Sequence, residues 1–291
     1  MCIRDSSSNA YDYYDDLGYH YHAGSGVTYQ GIESLTLESG AYDDTLIYQN
    51  NQINRYAGNG GTTFYADVSD WTVGLHWVND GSEQTFSNGV EGFSVSGVER
   101  LLVQTGSGED VIEQKIAQTN DEIRTGAGDD LIILSGYSGD DTIDGGAGID
   151  TLDMDWSGQG YLTHSVELTT ADGTVYRRIV NSDVGMDALS QLNAQAVSHA
   201  YGVGDYYQYG FYDTQGNYGE GQYYYGYAEQ QVAYYKNIEN ITLNGTDYND
   251  LFNYEGTGIG QFKGNGGTDT LYADLTAGRW MFTSSMAQRL R

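Results

Sequence analysis

Five aspartates in the middle of the chain each stand two residues before an aliphatic side chain: Asp110 (Ile112), Asp121 (Ile123), Asp130 (Ile132), Asp141 (Ile143) and Asp150 (Leu152). Their spacings alternate 11, 9, 11 and 9, so every second one lies 20 residues on. Glycine-rich turns lead into most of them: Thr105-Gly106-Ser107-Gly108-Glu109-Asp110, Thr125-Gly126-Ala127-Gly128-Asp129-Asp130, Gly145-Gly146-Ala147-Gly148-Ile149-Asp150 and, in the other series, Gly136-Tyr137-Ser138-Gly139-Asp140-Asp141. A carboxylate is a hard oxygen donor, and glycine at φ > 0 lets carbonyls turn toward a common centre. Two such turns, one above the other, could surround a cation with about six oxygens, which suits calcium; magnesium demands a tighter octahedron with retained water and ranks second. The candidate metal ligands are therefore Gly106, Gly108, Asp110, Asp121, Gly126, Gly128, Asp130, Gly139, Asp141, Gly146, Gly148 and Asp150, with Asp44, Asp250 and Asp269 in thinner copies outside.

The elements that would position these groups follow from the alternation. If one coil uses 20 residues as turn, short strand, turn, short strand, then Asp110, Asp130 and Asp150 run along one edge of a stack. Asp121 and Asp141 run along the opposite edge. Successive coils rise by about 4.8 Å, the spacing of hydrogen-bonded strands. The aliphatic residue two after each aspartate points inward onto its equivalent in the next coil. A helix does not fit, because 20 drifts against a period of 3.6 and each glycine would cost about 1 kcal/mol.

The coils belong to a larger repeat. Residues 32–62 match 238–268 at an offset of 206: Ile32 on Ile238, Glu33 on Glu239, Leu37 on Leu243, Asp44 on Asp250, and Gly58-Asn59-Gly60-Gly61-Thr62 on Gly264-Asn265-Gly266-Gly267-Thr268. A third copy opens at Val98-Glu99, offset 66 from the first. The chain thus divides into a leader (1–30), a first module (31–70), a hairpin (71–96), a middle module (97–158), an insertion (159–236) and a third, truncated module (237–291). Residues 1–8 resemble nothing that follows and read as foreign to the chain, the leader as partly disordered or artefactual. The fold expected is all-β: parallel β-roll segments joined by antiparallel hairpins.

Gly145-Gly146-Ala147-Gly148-Ile149-Asp150-Thr151-Leu152-Asp153 matches in full the nonapeptide of the repeat-in-toxin (RTX, hemolysin-type) calcium-binding proteins, G-G-x-G-x-D followed by x, a large apolar residue and x. The turns ending at Asp110, Asp130 and Asp141 resemble it closely. The resemblance implies calcium between consecutive turns on one edge: between 105–110 and 125–130, between 125–130 and 145–150, and between 116–121 and 136–141. The last pair is the poorer, since Ile116-Ala117-Gln118-Thr119-Asn120-Asp121 lacks the glycines. In the outer modules the turns ending at Asp44 and Thr63, and at Asp250 and Asp269, could each hold one ion. The resemblance also implies a secreted protein, exported by type I secretion and folding on calcium outside the cell.

Composition narrows the alternatives. Forty-one acidic residues against 12 basic ones give a formal net charge of -29, which excludes the clustered Lys and Arg of a nucleic-acid interface. A compact chain so charged repels itself. Glycine is abundant (41 residues) and proline absent, which tolerates long strand stacks. One cysteine gives neither a disulfide framework nor a thiolate metal site. No apolar run is long enough to span a membrane.

Between the modules, Trp71–Val78 alternates, turns at Asn79-Asp80-Gly81 and continues to Ser87, which predicts a hairpin; residues 161–170 and 174–180 flank Ala171-Asp172-Gly173 as a second. Residues 186–200 have helical spacing. Residues 201–235 are rich in Tyr and Gly, a composition suited to covering the roll or to meeting a polysaccharide or a cell-surface protein. His20, His22, His76, His164 and His199 have no zinc-ligand spacing, and no serine has a nucleophile-elbow context. The function expected is a non-enzymatic, calcium-binding structural repeat region of a secreted protein; the alternative is an accessory calcium-binding module of a secreted carbohydrate-active enzyme or protease.

Overall fold

Runs of three to five β-branched, aliphatic and aromatic residues, punctuated by glycine and aspartate, favour short strands, and short strands are what form. The computed structural model describes residues 12–15, 18–21, 35–41, 43–48, 53–116, 119–135, 139, 141–157, 161–164, 168–169, 173–182, 205–212, 218–225, 230–254 and 258–273. The expected helix at 186–200, most of the leader and everything after residue 273 lie outside them.

A hairpin of β1 (Asp12–Asp15) and β2 (Gly18–Tyr21) forms its own sheet. The first module supplies β3 (Leu35–Glu38), β4 (Thr45–Ile47), β5 (Ile53–Ala57) and β6 (Thr63–Asp67), and the stretch after it β7 (His76–Asn79), β8 (Gln84–Ser87) and β9 (Gly92–Ser96). The middle module supplies β10 (Arg100–Gln104), β11 (Val111–Gln114), β12 (Glu122–Arg124), β13 (Leu131–Ser135), β14 (Asp141–Asp144) and β15 (Thr151–Asp155). The insertion gives β16 (Tyr161–His164), β17 (Leu168–Thr169), β18 (Val175–Ser182), β19 (Asp205–Tyr212), β20 (Tyr218–Tyr225) and β21 (Gln230–Lys236). The last module gives β22 (Asn240–Asn244), β23 (Leu251–Tyr254), β24 (Gly260–Lys263) and β25 (Thr270–Ala273).

These strands do not make three separate roll segments joined by hairpins, and the expected fold class is corrected accordingly. An eleven-stranded mixed sheet runs β25-β23-β16-β18-β21-β14-β12-β10-β6-β4, with β17 on β18. A six-stranded parallel sheet runs β24-β22-β15-β13-β11-β7, and a four-stranded mixed sheet β3-β5-β9-β8. The eleven-stranded sheet takes strands from all three modules, and the six-stranded sheet takes strands from the middle and last modules together with β7. In the middle the register is 20 residues: Ile112 lies opposite Ile132, Ile132 opposite Leu152, and Ile123 opposite Ile143. Beyond it the partners are distant in sequence: Ile143 lies opposite Tyr235, and Leu152 opposite Ile241. The antiparallel strands are built into the sheet, β18 sitting between β16 and β21 and antiparallel to both.

The hairpin expected across Asn79-Asp80-Gly81 is likewise divided. β7 joins the six-stranded sheet beside β11, while β8 pairs with β9 in the four-stranded sheet. Trp77 supplies the physical reason. It is buried, with its ring 5.8 Å from Phe64 and 5.2 Å from Phe86, and a free hairpin would leave it in water. The second expected hairpin does pair antiparallel, Tyr161 opposite Ser182 and Leu168 opposite Tyr176. Asp205–Tyr212 and Tyr218–Tyr225 of the tyrosine-rich stretch also pair antiparallel.

One core runs through the layers. Leu101, Ile112, Ile123, Ile132, Leu134, Ile143 and Leu152 are fully buried along its middle. At the end nearer the N-terminus it widens into an aromatic cluster, with Phe93 4.4 Å from Tyr48, 5.6 Å from Phe64 and 5.3 Å from Phe86 between ring centroids. Tilted and edge-on rings of this kind add about 0.5–1.5 kcal/mol per pair beyond their buried area. Trp77→Ala and Phe93→Ala are each expected to lower the stability to urea by about 3–5 kcal/mol. Ile149→Ala, at an exposed turn position, should stay within about 0.5 kcal/mol. Equal, small effects at all three would refute the cluster as core.

Candidate functional site

The repeated aspartates meet in two ladders. On one edge Asp110 N–H donates to Asp130 Oδ1 at 2.7 Å, Asp130 N–H to Asp150 Oδ1 at 3.0 Å, and Asp150 N–H to Glu239 Oε2 at 2.9 Å. Leu75 N–H closes the near end on Asp110 Oδ1 at 2.6 Å. On the opposite edge Leu101 N–H donates to Asp121 Oδ1 at 2.7 Å and Asp121 N–H to Asp141 Oδ1 at 2.9 Å. Gln114 Nε2 and Thr119 Oγ1 complete Asp121 by donating to Oδ2 at 3.0 and 2.8 Å. The carbonyls work in the same direction: Leu131, Thr151 and Thr142 N–H donate to the backbone oxygens of Asp110, Asp130 and Asp121. Asp110, Asp121, Asp130 and Asp150 each join neighbouring strands of the stack through the N–H and again through the C=O. All five are buried.

The outer copies are local versions. Gly40 N–H donates to Asp44 Oδ2 at 2.8 Å. Thr246 caps Asp250 through its N–H and Oγ1, each at 2.7 Å, and Asp250 N–H donates to Asp269 Oδ1 at 3.0 Å. At the start of the middle module Glu99 accepts Thr62 N–H at 2.6 Å, as Glu239 accepts Asp150 N–H. Glu99 and Glu239 were absent from the candidate ligands. Their signal in the sequence is the glutamate that opens each repeat.

The glycines serve contact between coils. Carbonyls expected to face a cation accept hydrogen bonds from the next coil instead: Ala127 N–H on Gly106 O and Ala147 N–H on Gly126 O, each 2.8 Å, and Thr125 Oγ1 on Gly145 O at 2.9 Å. At Gly148 a Cβ would fall 1.8 Å from Gly128 O, with φ at +147°; at Gly106 it would fall 1.9 Å from Trp71 O. Gly108, Gly126, Gly128 and Gly146 line the same turns, and Gly139 packs on Thr119 O of the opposite edge. Residues 136–138 and 140 of that last turn lie outside the described residues.

Among the described residues no group of three or more His, Cys, Asp or Glu side chains is placed to hold a metal ion. Calcium as cofactor and partner, and folding driven by it, are therefore corrected: Oδ1 of each of the five aspartates and the carbonyls of Gly106 and Gly126 accept N–H donors of neighbouring coils. The partner expectation is corrected with it. The strands expected to meet a polysaccharide or a cell-surface protein, β19 and β20, have side chains outside the described residues. Among the described residues no helix is long and apolar enough to cross a membrane.

Burial dominates the electrostatics of the ladders. It lifts Asp110 and Asp150 from 3.8 to about 6 against the pull of their hydrogen bonds, and raises Asp121 and Asp130 in the same direction. Asp150 Oδ2 is buried without a hydrogen-bond partner. The folded chain thus holds protons more tightly than the unfolded one. The stabilisation from these groups is complete below the unfolded value of 3.8 and is lost as pH rises through about 6. Each unit is worth about 1.4 kcal/mol. Stability to urea should be greater near pH 5 than near pH 8, and Asp150→Asn, an uncharged mimic that keeps one acceptor, should flatten that difference. A slope of the opposite sign, or an unaltered slope in Asp150→Asn, would refute the assignment. Gly148→Ala should destabilise at either pH, because the next coil cannot move away without breaking the ladder.

No family model matches the chain, and no curated protein or solved structure matches it significantly. The resemblance to the RTX proteins is accordingly corrected: the nonapeptide at 145–153 is embedded in a fold of mixed and parallel sheets with a buried aromatic core.

Proposed function

We propose that the chain is a non-catalytic structural module, a stacked β scaffold within a secreted protein, held by hydrogen bonds between coils. The observation that carries this reading is the fate of the chemistry-bearing residues. The regularly spaced carboxylates, which on sequence grounds promised a site, accept backbone N–H groups from coil to coil in the buried interior. A carboxylate so engaged neither presents a nucleophile nor exchanges protons with a substrate. A net charge of -29 keeps such chains apart in solution and away from anionic surfaces.

Two measurements test it. Far-UV circular dichroism should be the same in chelator as in millimolar calcium, with one cooperative melt in each; a cooperative gain of β signal on adding calcium would overturn metal-free folding. A scaffold must also hold its ends at a fixed distance. Spin labels at Val90→Cys and Tyr248→Cys, both exposed turn positions, in a Cys2→Ser background, should give a single narrow distance distribution by pulsed electron paramagnetic resonance. A broad or multimodal distribution would refute rigidity.

A further inference from the structure

The sequence holds four Asn-Gly pairs: Asn59-Gly60, Asn88-Gly89, Asn244-Gly245 and Asn265-Gly266. Such a pair carries its own chemistry. The backbone nitrogen of the glycine, once its proton is lost to solvent base, is a nucleophile within reach of the asparagine side-chain carbon. Glycine adds no Cβ to obstruct the turn this needs. Two restraints hold the reaction back in a folded chain. One is a hydrogen bond that occupies the glycine N–H, and the other is the set of bonds that fixes the carboxamide.

At three of the pairs both restraints are present. Gly245 N–H donates to Lys263 O at 2.7 Å, and Asn244 is held at both atoms, Nδ2 donating to Asp155 Oδ1 at 2.7 Å and Oδ1 accepting from Asn265 Nδ2 at 3.0 Å. Gly89 N–H donates to Ser87 Oγ at 3.0 Å, and Asn88 Oδ1 accepts the N–H groups of Val90 and Glu91, each at 2.9 Å. Gly266 N–H donates to Thr246 O at 3.3 Å, and Asn265 Nδ2 reaches Gly245 O at 2.6 Å as well as Asn244.

Asn59-Gly60 is the first-module counterpart of Asn265-Gly266, and it is held differently. Asn59 is exposed, and its Nδ2 donates to Ser39 O at 2.6 Å. Gly60 N–H has no hydrogen-bond partner among the described residues. Gly60 stands at φ +116°, and a Cβ there would meet nothing within 4 Å, so the backbone has room to turn. At Gly266 a Cβ would fall 2.8 Å from Asp247 O. The same motif occurs twice, and the first-module copy leaves its nucleophile uncovered.

We propose that Asn59 is a site of spontaneous deamidation in the folded protein, and that the change loosens the contact between the turns of the first module. Gly60 N bonds to Asn59 Cγ as the Cγ–Nδ2 bond breaks, and Nδ2 leaves as ammonia with a proton from solvent. Water then opens the cyclic imide at either carbonyl, giving aspartate or isoaspartate. The sum is water in and ammonia out, with no change of oxidation state. The product sets a carboxylate where Nδ2 donated to Ser39 O. Isoaspartate also displaces Asn59 N–H, which donates to Ser39 Oγ at 3.1 Å. Both bonds tie the turn at 58–61 to the turn at 39–40. This goes beyond the scaffold reading, which holds whether or not the chain changes covalently.

Peptide mapping by mass spectrometry of the full chain, held in mildly alkaline buffer, tests it. In the folded chain Asn59 should convert at least about tenfold faster than Asn88, Asn244 or Asn265, each of which must first break hydrogen bonds worth a factor of that order. In urea the four rates should converge. Isoaspartate should be labelled at residue 59 by an isoaspartyl methyltransferase. Asn59→Asp, a mimic of one product, should lower the melting temperature by about 2–4 °C. Asn59→Gln, which keeps a carboxamide but closes the imide slowly, should stay unmodified at that position. An Asn59 that stays intact in the folded chain, or conversion at one of the other three that is as fast, would overturn the site. An Asn59→Asp chain that melts with the wild type would overturn the loosening.

Discussion

Everything in this fold rests on one hydrogen bond, repeated: the backbone N–H of an aspartate in one coil donating to the carboxylate of the aspartate in the next. Stacked turns have a problem that stacked strands do not. Strands satisfy each other's N–H and C=O groups in the ladder, but a turn leaves donors pointing along the stack, and a buried, unpaired donor costs about 1–3 kcal/mol. A side chain of two oxygens, standing one residue before the strand, supplies the missing acceptor at every level. Because the same residue also offers its N–H to the next carboxylate, the solution propagates, and Asp110, Asp130 and Asp150 form a single line of it.

That solution constrains its neighbours. Carboxylates within a dry stack resist ionisation, which is why burial raises Asp110 and Asp150 and why acid favours the folded form. The turns must also approach closely enough for the N–H to reach, which removes room for side chains at Gly106 and Gly148. Glycine, aspartate and the inward aliphatic residue two positions on are then one device: contact, acceptor and core. A metal-binding turn of the same composition would aim its carbonyls at an ion. Here those of Gly106 and Gly126 meet the amides of Ala127 and Ala147.

Much of the middle of the molecule was legible in its sequence. The alternation of 11 and 9 is a statement about registers, and it places Ile112, Ile132 and Leu152 opposite one another. The purpose of the aspartates was not legible, because a carboxylate ligand and a carboxylate acceptor have the same composition and the same period. Only the position of the neighbouring N–H tells them apart. Nor could pattern show that Trp77 would draw its strand out of a hairpin and into the six-stranded sheet, since alternation reports which face is buried and says nothing of which partner buries it. The pairing of Ile143 with Tyr235 joins residues far apart in sequence, where no local period reaches.

The exchange of aspartate for glutamate at the junctions follows from the same geometry. Within the coils the chain arrives at each turn from directly above, through a loop of constant length, and the short aspartate side chain is enough. At Glu99 and Glu239 the chain arrives from elsewhere, by way of the β8–β9 hairpin in one case and the antiparallel strands ending in β21 in the other. An extra methylene lets the carboxylate reach the same N–H from that different approach. The repeat thus uses one chemical group at two lengths, the shorter to continue a stack and the longer to begin one on an existing end. The choice between them is readable in the sequence as the acidic residue that opens each module.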